Sequence, residues 1–122
     1  MTRIVIIGLV IILAAGVAFA EVIKMDKKVG DYSVNIMMDN PPSVGSNIME
    51  ILITNNEGNP VKNTKVQVDY GTSDIAYKAT LLKHGSWYHT ALNISKEGPW
   101  YVNITITSQR KTVFTKFTFD VI

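Results

Sequence analysis

The chain contains no cysteine, which excludes disulfides, thiol chemistry, zinc–cysteinate sites and a lipidated cysteine behind a leader. It carries little net charge. Lys and Arg number 12 against 10 Asp and Glu, a formal +2. Setting Arg3 aside leaves 11 against 10, or +1, too weak a field to steer a nucleic acid or an anionic surface. There is no glycine-rich phosphate loop, and no nucleophile stands with a histidine and an acid in recognisable context. The nearest carboxylate pairs fall in turns, so the parts of an enzyme are missing and a non-enzymatic protein is expected. At 122 residues there is no room for a second core.

What is present begins with an apolar leader. Arg3 is a minimal positive start, and Ile4 to Ala20 then runs without a charge. Ala18-Phe19-Ala20 has the small-x-small form that a signal peptidase accepts, and Glu21 opens the polar chain. Residues 1–20 are therefore expected to be a signal peptide cleaved after Ala20, or an uncleaved anchor helix. The run sits at the lower limit of the roughly 17 to 25 residues that a spanning helix needs. Either way the rest of the chain is delivered to a periplasmic or extracytoplasmic location. Membrane contact is confined to residues 4–20, and only if the leader is retained. Residues 21–29, with Lys24, Lys27 and Lys28, read as a solvated spacer.

From Tyr32 onward the apolar positions alternate. Tyr32, Val34, Ile36 and Met38 share one face, then Asn40-Pro41-Pro42 interrupts the strand. Met49, Ile51 and Ile53 mark a second strand, ended by the turn-rich Asn55 to Pro60. Val66, Val68 and Tyr70 form a third, broken at Gly71 to Asp74. Ile75, Tyr77, Ala79 and Leu81 alternate as a fourth, Tyr88 to Ile94 as a fifth, Trp100 to Ile106 as a sixth and Val113 to Val121 as the last. About seven strands with no helical period between them predict an all-β fold over residues 30–122. The natural solution is an immunoglobulin-like antiparallel β-sandwich, preceded by the leader helix. Trp100 is expected to be its central core aromatic.

The order of these segments resembles a known family. Gly30-Asp31-Tyr32-x-Val34, Pro41-Pro42-x-Val44-Gly45-x-Asn47, Ile53-Thr54 with Pro60-Val61, Val66-x-Val68-x-Tyr70, Trp87-Tyr88 and Gly98-x-Trp100-x-Val102 look like the YtkA-like (FixH-related) domain. The likeness covers roughly the whole folded part. It implies an extracytoplasmic β-sandwich associated with copper handling or respiratory-complex assembly. Many relatives carry a Met-Pro-x-Met-type stretch after the third strand. Here that stretch is Gly71-Thr72-Ser73-Asp74-Ile75-Ala76, which removes the methionines that copper would use.

Soft-metal donors elsewhere are Met25, Met37, Met38, Met49, His84 and His89. Met37 and Met38 point to opposite faces of one strand, so the strand methionines cannot all converge. His84 lies in the turn just before His89, and the two could approach across a hairpin-like bend. They are the candidate metal pair, with no resident cofactor expected and copper retained only through the resemblance. With Tyr88, Leu92 and Ile94 inward, Trp87 and His89 face outward and are the candidate partner contacts. The rival role for Trp87 is packing on a neighbouring edge or loop. The expected function is an accessory or binding module with a protein partner in the cell envelope. The alternative is a structural or adhesive sandwich docking onto a larger envelope assembly.

Overall fold

The computed structural model describes residues 21–109 and 111–122. The expected leader at residues 1–20 lies outside them, and among the described residues no helix is long and apolar enough to cross a membrane. Nine strands appear in the described chain: β1 (Glu21–Val29), β2 (Tyr32–Asn40), β3 (Gly45–Thr54), β4 (Lys65–Gly71), β5 (Ala76–Lys78), β6 (Leu82–His84), β7 (Trp87–Ile94), β8 (Gly98–Thr107) and β9 (Thr112–Val121). They form two antiparallel sheets. One has four strands in the order β9-β8-β4-β5, the other five in the order β1-β2-β3-β7-β6.

Alternation determines which side of each strand is buried. Val34, Ile36 and Met38 on β2, Met49, Ile51 and Ile53 on β3, and Leu92 and Ile94 on β7 turn inward from the five-stranded sheet. Val68 and Tyr70 on β4, Trp100, Val102, Ile104 and Ile106 on β8, and Phe117, Phe119 and Val121 on β9 meet them from the other. Each large apolar side chain so buried contributes about 1.5 to 3 kcal/mol. Trp100 is 1% exposed, donates its indole N–H to the carbonyl of Lys96 at 2.9 Å and stacks on Tyr70 with centroids 6.2 Å apart. It is the core aromatic that the alternation predicts.

Two expectations need correction. Residues 21–29 are no spacer but a full-length edge strand, paired with β2 along its whole length from Glu21↔Asn40 to Val29↔Tyr32. The period of two was hidden by Lys27, which occupies an inward position among the half-buried Ile23, Met25 and Val29. Its aliphatic stem lets the ammonium emerge at the seam between the sheets. There it donates to the Lys116 carbonyl at 2.6 Å and lies 5.4 Å from the centre of the Phe117 ring. A charge on the inner side of an edge strand also discourages a further strand from adding there.

The second correction concerns the single strand expected over Ile75 to Leu81. Only Ala76–Lys78 of that run is strand, as β5 on β4; the chain then crosses over, and β6, which begins just past the run at Leu82, pairs with β7 in the other sheet. The entry is tight. A Cβ on Gly71 would sit 1.9 Å from the Ile75 carbonyl oxygen, so only glycine fits. The Thr72 hydroxyl accepts the backbone N–H groups of Asp74 and Ile75 at 3.1 and 3.2 Å. On leaving, the Ala79 N–H still donates to Val68 of the first sheet, while the Thr80 carbonyl accepts the Thr90 hydroxyl of the second at 2.7 Å. Alternation continues through the crossing because Ala79 and Leu81 pack on the shared core from either side of it. Hydrophobic period alone therefore could not reveal the change of sheet.

Candidate functional site

The outer face of the five-stranded sheet carries the residues with chemistry to offer. On β7, Thr90, Leu92 and Ile94 are buried, which turns Trp87, His89 and Ala91 outward. Register with β3 sets Leu52 opposite Trp87, Glu50 opposite His89 and Ile48 opposite Ala91. On the other flank of β7, Leu82 stands opposite His89 and His84 opposite Trp87. The β6–β7 connection is the two-residue turn Gly85-Ser86, and Gly85 has φ of +62°, a conformation that tight hairpin turns reserve for glycine. That turn locks the register and hence the diagonal placement of the two histidines.

The imidazoles of His84 and His89 lie with ring centroids 6.2 Å apart and planes inclined by 41°. His84 is exposed and His89 half-buried. The Nδ1 of His89 is 3.9 Å from Oε2 of Glu50, beyond hydrogen-bond length but within close Coulombic reach. The sequence had already singled out His84, His89 and Trp87, and the fold brings all three to one patch. Glu50, Leu52 and Leu82 were missed. Their signal was the alternation of β3, in which Ile48, Glu50 and Leu52 fall on the non-core phase, but which outward residue they oppose depends on a cross-strand register that the sequence does not state.

Apolar surface surrounds this polar centre. Leu82 is 63% exposed and Ile48 40%, and Leu52 and Trp87 are half-buried beside them. Lys83, on the other side of β6, lays its ammonium 5.6 Å from the centre of the Tyr88 ring.

Among the described residues the methionines do not build a thioether site. Met38 and Met49 face each other across β2 and β3 and are 2% and 0% exposed. Met37 is on the opposite, outer face opposite Glu50, and Met25 is half-buried on β1. The connection from Gly71 to Ala76 holds hydroxyls and one carboxylate but no soft donor. Among the described residues no set of three or more histidine, aspartate or glutamate side chains is arranged to hold an ion. A copper centre of the methionine type therefore does not fit these residues.

Fold and site together define an all-β domain of two antiparallel sheets presenting a histidine and aromatic patch on one open face. No protein-family model matches the chain, and no curated protein matches it. Among solved structures it is similar to FetP of a uropathogenic Escherichia coli strain, expressed in the periplasm, with a TM-score of 0.49 and 10% identity over 84% of this chain and 94% of that one. A copper-bound glutamate-to-glutamine variant of FetP gives a TM-score of 0.42 and 11% identity over 83% and 92%. At that identity and overlap neither likeness says anything about what this chain does.

Proposed function

We propose that the chain is an extracytoplasmic, non-enzymatic accessory module that engages a protein partner in the cell envelope through the outer face of its five-stranded sheet. The observation that carries this is the patch itself. Trp87, Leu52, Leu82 and Ile48 surround the Glu50–His89 pair on a face that no other described element covers. A tryptophan framed by aliphatic side chains around a polar centre is the composition of an interface anchor, and it is unusual for a surface with no partner. The apolar leader supports an extracytoplasmic setting. The YtkA-like order of motifs, and that resemblance alone, supports a place in respiratory-complex assembly or copper handling.

The test is co-purification from solubilised native envelopes, with wild type compared against the double variant Trp87→Ala, Leu82→Ser. Both positions lie outside the core, so the variant should melt within a few degrees of wild type, as surface changes of under about 1 kcal/mol do. The partner should be lost. Retention of the partner by a folded double variant would move the interface elsewhere and favour a sandwich that docks by another edge.

A further inference from the structure

We propose that His84 and His89 form a two-imidazole chelate for an exchangeable divalent ion of borderline softness, such as zinc. The chain has only 2 histidines, and the fold places both on one face of one hairpin. They sit diagonally across the β6–β7 ladder, His89 in the Leu82↔His89 pair and His84 in the His84↔Trp87 pair two residues along. Diagonal neighbours on a pleated sheet are within reach of long or ring-bearing side chains.

The distance suits the chemistry. Ring nitrogens lie about 2.0 to 2.1 Å from a bound zinc, so two imidazoles on one ion have centroids roughly 5 Å apart in a tetrahedral arrangement and about 6 Å apart when opposed. The observed 6.2 Å is near the opposed limit, so a tetrahedral ion would draw the rings together by about 1 Å. Because the turn at Gly85 holds the two strands in register, the backbone needs no ordering on binding, and what remains is to fix the two side chains. Glu50 completes the arrangement from behind. Its carboxylate lies 3.9 Å from Nδ1 of His89, too long for a hydrogen bond as it stands, and closing that gap on binding would leave Nε2 as the ligating nitrogen and make Glu50 a positioning residue of the carboxylate–histidine–metal kind. The protein supplies two donors and water fills the remaining positions, so the ion exchanges freely. This holds whether or not the same face also docks a partner, because it concerns the isolated chain.

Zinc titration of the purified chain by calorimetry, with the histidine ring protons followed by NMR, tests the proposal. One zinc per chain is expected, shifting or broadening the ring signals of both histidines together. His84→Asn and His89→Asn should each weaken binding at least about tenfold, and the pair should abolish it. Glu50→Gln should weaken it by a smaller factor, about three- to tenfold, while leaving both imidazoles ligating. Excess zinc should raise the melting temperature of wild type and not of the double histidine variant, since only a species that binds the native state stabilises it. Absence of binding at millimolar zinc overturns the proposal. So does zinc affinity undiminished in the double variant, which would assign the ion to carboxylates elsewhere.

Discussion

The phenol oxygen of Tyr70 on β4 accepts the backbone N–H of Asn93 on β7 at 2.9 Å, a hydrogen bond that joins the two sheets through the interior. Tyr70 is 3% exposed, and its ring also stacks on Trp100 and lies 5.3 Å from Tyr77. Tyr70→Phe keeps the stacking and removes only the acceptor. It should lower stability by about 1 to 2 kcal/mol, the cost of stranding a partly buried donor. Urea unfolding should show a lower midpoint with an unchanged slope. An unaltered midpoint would mean that water reaches the Asn93 N–H.

Trp100→Ala should cost about 3 to 5 kcal/mol, because truncating a buried aromatic leaves a cavity as well as losing transfer energy. Less than about 1 kcal/mol lost on denaturation would contradict the central position of this side chain. Combined with Tyr70→Phe the losses should not add, since the two rings touch and each is packed by the other.

Copper chemistry gives a third expectation. Soft-ion affinity rises with the number of preorganised thioether, thiolate or imidazole donors, and here Met38 and Met49 are sealed in the core, Met25 and Met37 are half-buried on separate strands, and the two imidazoles are the one soft pair brought together among the described residues. The chain should retain no stoichiometric copper after dialysis against a mild chelator. Residual binding before dialysis should vanish in His84→Ala, His89→Ala, and should fall on acidification because a protonated imidazole cannot ligate. One copper held per chain through the chelator would sink this expectation.

Processing provides the fourth. Protein isolated from its native envelope should begin at Glu21, the residue after Ala18-Phe19-Ala20 and also the first of β1. Recovery of Met1 in the membrane fraction would establish an anchor in place of a removed peptide.

The strands were legible wherever successive inward positions are apolar, as on β3 from Met49 through Ile51 to Ile53 or on β8 from Trp100 to Ile106. They were illegible where a single residue serves two purposes. Lys27 counts as polar in any pattern, yet its stem packs like an inward side chain, and that one position hid β1. Ala79 and Leu81 keep the alternation of a continuous strand while the hydrogen bonds change sheets between them, from Val68 to Thr90. Of the candidate site, His84, His89 and Trp87 could be found because they lie within one hairpin, where sequence neighbours are spatial neighbours. Glu50 and Leu52 come from a strand some forty residues earlier, and only the β3–β7 register brings them in. Asn47 shows the same limit. It is 3% exposed and both ends of its amide bond Ser43, with a further bond to the Gly45 carbonyl, so its place after Pro41-Pro42 reflects a latch on that turn.

The pairing of β4 with β8 and β9 beyond it also sets an order on assembly. As the chain emerges, β1, β2 and β3 can zip together by successive hairpins, because each strand's neighbour has just been made. β4 cannot: apart from the three-residue β5, its partner begins only at Gly98. Until that stretch has emerged on the side where the domain folds, Val66, Val68 and Tyr70 have no ladder to join, and the inner face of the five-stranded sheet has nothing to cover it. A chain emerging from its N-terminus therefore passes through most of its length with one wall of the sandwich missing, a state in which unfinished strands invite capture by a holdase or by one another.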